Sequence, residues 1–528
     1  MKISGGRAVV NALEAWGVDI VFGIPGVHTL ALYDALYEHP SIRHILVRHE
    51  QGAGFMADGY SRVSGKVGVA ITTTGPAAVN ALTPIGQAYA ESTPLLVIAS
   101  GPTEETAGKD VGALHEMKDQ FATAVSVSGK GRRVSSIDEI PEAINEAFVG
   151  MQCERPRPYY LEIPLDILKA EAEVTPIPPE SFPPKTPDED SLDQAISLIR
   201  EAKRAMILAG GGAKDAGDLL VRLAEQLNAP VGLTYNGLGT VPADHPLFLG
   251  GGPAVGKWLG EADLLIAVGT HFSERNTRDW DTAPKKLIHL DLDPSVVGLQ
   301  YAADVAMICD SATGLQAILF RLEGEAPKDE WAGEQIEESR RNPSGTPAPP
   351  GGMFEGIVQT LRASLDRDAV VTNDMTGISY QARRTFPVYA PRTFLTPFTY
   401  GTLGFALPTA IGAKIACPDR QVVALCGDGG FLFTAQELAT AKQQRLSLPI
   451  ILGNDNRYNA IGRAMSRESK GREIGVELDN PDFVMYAKSF GLNGIRVTTN
   501  DQLKGALENA LKADLPTLIE VYQPEYET

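Results

Sequence analysis

The stretch of sequence that decides the fold reads VVALCGDGGF and occupies residues 422–431. In it an apolar strand runs directly into the turn Gly427-Asp428-Gly429, whose glycines let a bound group approach the backbone closely. A second apolar strand, residues 448–452, runs into Asn454-Asp455, which begins 27 residues after Gly427. Parallel strands end at one edge of a sheet, so both turns present side-chain oxygens to a common site. Such oxygens suit a hard cation, and helix N-termini behind the turns suit phosphate, so the stretch predicts Mg²⁺ bound together with a diphosphate.

The composition limits the class of protein. At 528 residues the chain is too long for one core and suggests three domains. An apolar fraction of 43% and a charged fraction of 21% are typical of a soluble globular protein, and a net charge of −19 argues against nucleic acid and anionic membrane as partners. The N-terminus lacks a signal-peptide pattern, no apolar run reaches the roughly 18 residues that cross a bilayer, and the four cysteines lack paired spacing. We therefore expect a cytoplasmic protein.

Two proline-rich stretches divide the chain. Residues 175–187 and 342–352 have the composition of semi-rigid linkers and separate three segments, residues 1–173, 188–325 and 352–528. Each segment alternates short apolar strands with helical periods. The predicted buried strands are residues 20–23, 67–71, 95–99, 205–212, 264–269, 287–291, 369–372, 422–426 and 448–452. The predicted fold class is α/β, with three doubly wound parallel-sheet domains.

The two polar turns resemble the signature of thiamine-diphosphate enzymes, in which Gly-Asp-Gly is followed, after just under thirty residues, by an Asn pair. The ungapped match places Asp455 where the family usually has its second Asn. Asp is an equally hard oxygen ligand, whereas a shift by one residue would make Asn456 the ligand. The resemblance implies metal ligation by Asp428, Asp455 and Arg457. It implies cofactor binding by Gly427, Asp428, Gly429, Gly430, Asp455 and Tyr458.

A glutamate in the first segment, Glu50, lies between a predicted strand at residues 42–47 and a predicted helix at residues 55–63. Taken alone, it could simply cap the helix. Together with the glycine-containing segments 23–26 and 75–80, it resembles the pyrimidine-binding domain of the same family. The resemblance covers nearly the whole chain as pyrimidine-binding, middle and diphosphate-binding domains. It implies that Glu50 is the catalytic, cofactor-binding glutamate, which lets the pyrimidine ring act as an internal base.

Two further segments resemble parts of the family's cofactor site. By this resemblance, in residues 399–408, Leu403 would be the apolar wedge under the thiazolium ring, and the Gly401 carbonyl would accept from the pyrimidine amino group. Without that resemblance, Leu403 would be interpreted as a core leucine. Residues 374–377, which include Thr376, match the loop that approaches the diphosphate. The implied cofactors are thiamine diphosphate and Mg²⁺.

Two histidines are candidate catalytic residues, for proton transfer or for binding the substrate carboxylate. Histidine as a residue type can gain or lose a proton near neutral pH, so His28 and His115 could serve either purpose, although each could equally be a surface or supporting residue. Pyruvate decarboxylases have a Glu at the position of Ile461 and an adjacent His pair, so that subclass is not expected. Acetolactate synthases are similar at residues 436–441, but their flavin-contacting segment is replaced here by Gly250-Gly251-Gly252-Pro253. FAD is therefore an alternative that we do not expect.

Four segments of the chain together resemble those of 5-guanidino-2-oxopentanoate (2-ketoarginine) decarboxylases more than those of the other subclasses. The segments that carry this similarity are residues 22–30, 48–60, 114–116 and 427–441. A guanidinium tail needs an acidic partner, for which Glu116, Asp119 and Glu468 are candidates, whereas the basic run after Tyr458 would favour an acidic substrate. The resemblance implies non-oxidative decarboxylation of a 2-oxo acid to an aldehyde and CO₂. An acetolactate-synthase-like carboligase and a non-catalytic cofactor-binding paralogue are the alternatives.

The resemblance also implies an assembly. Enzymes of this kind bind the cofactor between the pyrimidine-binding domain of one subunit and the diphosphate-binding domain of another. A homodimer is therefore the minimum and a homotetramer the expectation. The other expected partner is a small-molecule 2-oxo acid.

Overall fold

Parallel β-sheets flanked by helices organise the chain in a computed structural model that describes residues 2–180, 182–277, 280–341 and 352–526. The chain forms two compact units. One comprises Met1–Phe182, Val371–Thr376 and Pro397–Tyr526, and the other comprises Pro183–Val370 and Gly377–Thr396. The first predicted linker contains no helix or strand where the structure describes it. Residues 342–351 of the second predicted linker lie outside the described residues.

The first third of the chain builds a six-stranded parallel sheet. Its strands, with two short flanking ones, are β1 (Lys2–Ser4), β2 (Ile20–Gly23), β3 (Arg43–Leu46), β4 (Gly68–Thr72), β5 (Leu95–Gly101), β6 (Gly131–Arg133), β7 (Tyr159–Pro164) and β8 (Glu171–Glu173). Its helices are α1 (Gly5–Ala15), α2 (Leu30–Tyr37), α3 (Glu50–Ser64), α4 (Pro76–Asn80), α5 (Leu82–Glu91), α6 (Gln120–Ser128), α7 (Glu139–Cys153) and α8 (Leu165–Lys169). The sheet order is β3-β2-β4-β5-β7-β6, and β1 pairs antiparallel with β8. Both β4 and β5 are buried at every residue, as expected for parallel strands covered on both faces.

The middle third builds a second six-stranded parallel sheet in the other unit. Its strands are β9 (Ala205–Ala209), β10 (Val231–Leu233), β11 (Phe248–Gly251), β12 (Leu264–Val268), β13 (Leu287–Asp291) and β14 (Val305–Ile308). The helices of this unit are α9 (Glu189–Glu201), α10 (Gly217–Leu227), α11 (Gly252–Trp258), α12 (Glu274–Thr277), α13 (Ser311–Arg321), α14 (Gly333–Arg341), α15 (Met353–Ser364) and α16 (Gly377–Thr385). The order β11-β10-β9-β12-β13-β14 places β9 and β12 at the centre, where Ile207 and Ile266 join the apolar core.

The last third builds the third sheet. Its strands are β15 (Val370–Asn373), β16 (Phe394–Leu395), β17 (Val422–Gly427), β18 (Pro449–Asn454), β19 (Asn493–Val497) and β20 (Thr517–Tyr522). Its helices are α17 (Ala406–Ala416), α18 (Asp428–Phe431), α19 (Leu438–Gln443), α20 (Asn459–Glu468), α21 (Phe483–Ser489) and α22 (Asn500–Ala510). Within the sheet, β15, β17, β18, β20 and β19 follow one another in that order. Every residue of β17 and β18 is buried, which explains their unbroken apolar sequences.

Helices α3 and α17 cross at close range within the first unit. A Cβ at Gly59 would lie 2.2 Å from the Thr409 carbonyl oxygen, and one at Gly412 would lie 1.9 Å from the Met56 carbonyl oxygen. No side chain fits at either position, so glycine is required on both helices for the backbones to approach this closely. The crossing joins the first and third parts of the chain within the first unit.

The prediction of three doubly wound parallel-sheet domains is confirmed. The predicted strands 20–23 and 287–291 coincide with β2 and β13, and the other predicted strands differ from the observed ones mainly at their ends. Among the described residues, no helix combines the length and the apolar character that crossing a membrane requires.

Candidate functional site

The part of the site in the third domain begins where β17 and β18 end. The two strands are parallel and Gly427 pairs with Gly453, so both leave the sheet at the same edge. Asp428 follows as the first residue of α18 and is only 4% exposed. Asn454 ends β18 and is also buried. The structure therefore brings together the two polar turns that the sequence singled out.

Three side-chain oxygens converge on one amide nitrogen beside Asp428. The Nδ2 of Asn480 donates to Asp428 Oδ2 at 2.8 Å. The same nitrogen lies 3.2 Å from Asn456 Oδ1 and 3.3 Å from Asn454 Oδ1. An amide NH₂ carries partial positive charge, so the oxygens around it form a place that suits positive charge. Mg²⁺ prefers oxygen ligands, and this group of oxygens fits that preference.

A second carboxylate, that of Asp455, lies near Asp428. Its Oδ2 accepts from Asn459 Nδ2 at 2.9 Å. Burial raises the pKa of the Asp428 carboxyl, and the negative charge of Asp455 raises it further, against the lowering effect of the Gly429 N–H. A cation between two such carboxylates would relieve their repulsion, so the charge arrangement also fits Mg²⁺. Across the described ranges, no three His, Cys, Asp or Glu side chains gather as a metal-binding group, so further ligands would be amide, carbonyl or cofactor oxygens.

The Arg457 side chain is engaged with two glutamates. Its guanidinium forms an ion pair with Glu473, and its Nε lies 3.3 Å from Glu477 Oε1. A guanidinium offers no lone pair to a cation. The backbone carbonyl is therefore the atom of Arg457 that is chemically suited to bind Mg²⁺.

The glycine turn is packed against two other predicted cofactor-binding residues. A Cβ at Gly427 would lie 2.9 Å from Thr376 Cβ, and one at Gly429 would lie 2.4 Å from the Tyr458 ring. Thr376 and Tyr458 thus lie directly against the backbone of the turn. The structure brings these four residues to one place.

The loop that carries Gly401 and Leu403 is tied to the same turn through Asp374. Asp374 Oδ2 accepts from Gly404 N at 3.1 Å, and a Cβ at Gly430 would lie 3.0 Å from the same oxygen. Gly401 has a φ of +72°, a left-handed conformation that favours glycine. Leu403 is half-buried, which differs from the fully buried environment of a core leucine.

The part of the site in the first domain contains Glu50, the first residue of α3, which is half-buried. Its Oε2 accepts from Asn80 Nδ2 at 2.9 Å. The helix is capped instead by His49, whose ring nitrogen accepts from the Gln51 N–H at 3.1 Å. The alternative interpretation of Glu50 as the capping residue is therefore excluded.

His28 and His115 lie side by side in this domain, with ring centroids 5.1 Å apart. His28 Nδ1 is 2.9 Å from Thr74 Oγ1, which in turn is 2.9 Å from Ser100 Oγ. His115 has a φ of +63°, and its buried Nδ1 has no hydrogen-bond partner among the described residues. Burial lowers the pKa of His28, and the nearby His115 lowers it further, so the uncharged imidazole is favoured.

A buried amide that no sequence motif indicated connects this region to β5 and β7. Gln120 Oε1 accepts from Gly75 N at 2.6 Å. Its Nε2 lies 2.9 Å from each of Ser100 O, Tyr160 Oη and Glu162 Oε2. The sequence patterns also did not identify Asn80 or Asn480 as site residues, although Asn80 lies in the segment 75–80 that resembles the family. Gln120 thus binds the turn before α4, and the last residue of α4, Asn80, donates to Glu50.

The three acidic candidates for a guanidinium partner all have local contacts. Glu116 accepts the backbone N–H groups at residues 111, 112 and 113, and these hydrogen bonds lower its pKa. Asp119 caps α6 by accepting from Ala122 N at 2.9 Å. Glu468 lies 3.9 Å from Arg467 on an exposed part of α20. These contacts do not single out one of the three.

Comparison with protein families assigns the chain to a family. Three family models match the chain: the N-terminal TPP binding domain of thiamine pyrophosphate enzymes over residues 3–123, their central domain over residues 192–318, and their C-terminal TPP binding domain over residues 374–521. The chain belongs to the thiamine pyrophosphate enzymes. The resemblance inferred from the two polar turns is thereby confirmed.

Several members of the family are similar along nearly their whole length. The probable 2-ketoarginine decarboxylase AruI of Pseudomonas aeruginosa is 40% identical over 533 residues, covering 98% of this chain and 94% of that protein. The probable acetolactate synthase large subunit of Methanocaldococcus jannaschii is 34% identical, covering 98% and 92%. Acetolactate synthase isozyme 2 large subunit of Escherichia coli is 34% identical, covering 99% and 96%.

Proposed function

We propose that this protein is a non-oxidative 2-oxo-acid decarboxylase that uses thiamine diphosphate and Mg²⁺ and acts on 5-guanidino-2-oxopentanoate. The observation that carries the proposal is the 40% identity, over 98% of the chain, to a probable 2-ketoarginine decarboxylase, against 34% for acetolactate synthases. The products would be an aldehyde and CO₂ in equal amounts. The cofactor would supply, when bound, the electron sink that makes loss of CO₂ from a 2-oxo acid feasible.

The third domain would hold the diphosphate and the metal. Asp428, Asp455 and the Arg457 carbonyl would bind Mg²⁺, with Asn456 as the alternative to Asp455. The convergence of oxygens on Asn480 and the proximity of the two carboxylates support this assignment. The backbone of the glycine turn, with Thr376 and Tyr458, would face the diphosphate, and Gly401 and Leu403 would contact the ring systems.

The first domain would handle protons. Glu50 would hydrogen-bond the pyrimidine ring and exchange a proton with it, with Asn80 orienting the carboxyl. His28 and His115 would bind the substrate carboxylate or deliver a proton to the product. Their adjacency and the lowered pKa of His28 support a neutral imidazole that can donate or accept a hydrogen bond.

A carboligase of acetolactate-synthase type is the second candidate function. It is favoured by the full-length similarity to acetolactate synthase large subunits and by the Gln436–Ala441 segment. Such an enzyme joins the decarboxylated fragment to a second carbonyl compound and thus yields a longer product. FAD in the middle domain remains an alternative attached to this second function. A non-catalytic cofactor-binding paralogue would form no product from any 2-oxo acid.

We further propose that the active enzyme is at least a homodimer, with a homotetramer expected, and that it is cytoplasmic. Large apolar side chains that are 40% or more exposed occur beside site residues in both domains, which supports a partner subunit over the site. They include Val27, Leu30, Val79, Leu432, Phe433 and Ile461. We retain residues 1–173, 188–325 and 352–528 as the proposed domain boundaries, and each contains one of the three matched regions.

The test is product analysis by NMR. The protein is incubated with thiamine diphosphate and Mg²⁺, and either 5-guanidino-2-oxopentanoate or pyruvate is added in parallel. Guanidinobutanal from the first substrate, with little product from pyruvate, is the expected result. Acetolactate from pyruvate would assign the protein to the carboligases instead. Absence of product from both would refute the proposed substrate and would direct the search to other 2-oxo acids.

A further inference from the structure

A buried carboxylate of the third domain reaches the backbone immediately before Glu50. Glu437 follows the glycine turn, in the 3-10 turn Ala435–Glu437, and its exposure is 0%. Its Oε1 and Oε2 lie 3.1 and 3.2 Å from Arg48 N, and both oxygens accept from that N–H. Arg48 is two residues before Glu50, so one hydrogen-bonding group connects the two domains at the start of α3.

The surroundings of Glu437 leave room for a carboxylate and for little else. A Cβ at Gly52 would lie 2.3 Å from Glu437 Oε1, so any side chain at that position would displace the carboxylate. Thr440 Oγ1 donates to Glu437 Oε2 at 2.6 Å. The Arg48 guanidinium donates to Gln443 Oε1 at 2.6 Å and so holds the same loop from its outer side.

The chemistry of these contacts requires an acceptor with two oxygens. The donors that face Glu437 are the N–H of Arg48, the hydroxyl of Thr440 and the N–H of His49. An ionised carboxylate accepts from all of them, whereas a glutamine amide would direct its own NH₂ at one of these donors. Burial raises the pKa of Glu437 to about 7, and the Thr440 hydroxyl and the two backbone N–H groups oppose that shift.

We propose that Glu437 is a positioning residue for Glu50: by fixing the backbone at Arg48 and His49, it sets where α3 begins and where the Glu50 carboxyl points. This inference rests on the proposed function, in which Glu50 activates the cofactor. Glu437 belongs to the same chain as the Glu50 that it positions. A short stretch of the third domain would thus have two roles. It begins with the glycine turn after Gly427, which would hold the cofactor and the metal, and it ends with Glu437, which would align Glu50.

The test uses the full-length protein and the variant Glu437→Gln. Peptide-resolved hydrogen exchange of the cofactor-free protein should show about tenfold faster amide exchange in residues 46–52 than in wild type, because the acceptor for Arg48 N–H is impaired. With thiamine diphosphate and Mg²⁺ bound, exchange of the cofactor's ring proton with deuterated water should slow by about tenfold or more. Unchanged amide exchange and unchanged cofactor exchange would overturn the inference.

Two controls make the result specific. Glu508→Gln, on the exposed side of α22, removes the same charge and should change neither rate. Thr440→Val, which keeps the carboxylate but removes one donor, should slow cofactor proton exchange less than Glu437→Gln, and Thr440→Ser should restore the wild-type rate. If Glu437→Gln does not fold, the comparison of Thr440→Val with Thr440→Ser tests the inference instead. Equal rates of cofactor proton exchange in these two variants would refute it.

None of these measurements uses a 2-oxo acid, so a wrong substrate does not affect them. Absence of cofactor proton exchange in the wild type would instead count against the proposed function.

Discussion

At the scale of single residues, the least usual feature is an aspartate, Asp455, close to the buried Asp428. The repulsion between them contributes to the raised pKa of Asp428, although burial is the larger cause. A divalent cation between them would remove this cost. Asn456 contributes an oxygen to the group around Asn480, so both neighbours of the turn remain chemically able to bind a metal.

Replacement of each candidate ligand separates these alternatives. We expect Asp455→Ala to weaken Mg²⁺ binding by at least about 10- to 100-fold, because a charged ligand is lost. Asn456→Ala should change the affinity by much less. Calorimetric titration of Mg²⁺ in the presence of thiamine diphosphate measures both. A larger loss in Asn456→Ala would assign the ligand to Asn456.

The carboxyl of Glu50 gives the second prediction at this scale. Glu50→Gln keeps the shape of the side chain but cannot exchange a proton, so turnover of the 2-oxo acid should fall by at least about 100-fold. Cofactor affinity should change by less than about tenfold, because only one hydrogen bond is altered. Steady-state kinetics and cofactor titration provide the two measurements. Full activity in this variant would show that the proposed role of Glu50 is wrong.

At the scale of elements, helix α3 contacts the third domain at two places along its length. Its first residue is Glu50, and the backbone before it is held by Glu437. Further along, it crosses α17 through Gly59 and Gly412, where the backbones touch. The start of the helix and its later turns therefore both contact the third domain, as the proposed positioning of the Glu50 carboxyl requires.

The crossing predicts a contrast between two glycine substitutions. Gly412→Ala would place a Cβ 1.9 Å from the Met56 carbonyl oxygen, so we expect it to destabilise the protein by about 2 kcal/mol or more. A Cβ at Gly505 in α22 meets no atom of the described residues within 4 Å, so Gly505→Ala should be neutral or stabilising by up to about 1 kcal/mol. Thermal unfolding midpoints of the two variants measure this. A midpoint at or above that of wild type for Gly412→Ala would contradict the close crossing.

At the scale of the whole molecule, the first sheet and strands β17 to β20 of the third sheet belong to one unit, and the middle sheet belongs to the other. Ionisable side chains are buried within the first unit. Glu437 is the clearest of these, because its carboxylate is fully buried and contacts the loop of the other domain.

This burial predicts how stability changes with pH. The folded-state pKa of Glu437, about 7, lies above its ordinary value of 4.5, so the folded protein holds this proton more tightly than the unfolded chain. The stabilisation is present below about pH 4.5 and is lost as pH rises through about 7, a change of roughly 3 kcal/mol. The thermal midpoint of wild type minus that of Glu437→Gln should therefore fall between pH 5 and pH 8. A difference that does not change over that range would mean that the carboxyl titrates normally.

Local sequence patterns were sufficient to predict the architecture of this protein. Strands such as Val422–Gly427 are buried on both faces of a parallel sheet, and such strands consist of apolar residues without interruption, which makes them recognisable in the sequence. The proximity of Asp428 and Asp455 could also be predicted, because each residue closely follows the end of a strand and the two strands are neighbours in the sheet. Fold, family and the polar turns were therefore predictable from sequence alone.

Only the tertiary structure identified the residues that orient the site. Asn480 reaches Asp428, Gln120 reaches Gly75, and Glu437 reaches Arg48 across 389 positions of the chain. None of these contacts has a period or a spacing that would mark it in the sequence, since the loops between the partners do not constrain which side chains meet. Strands and turns are specified by neighbouring residues, whereas the contact between Glu437 and the backbone before Glu50 arises only where the first and third domains pack together.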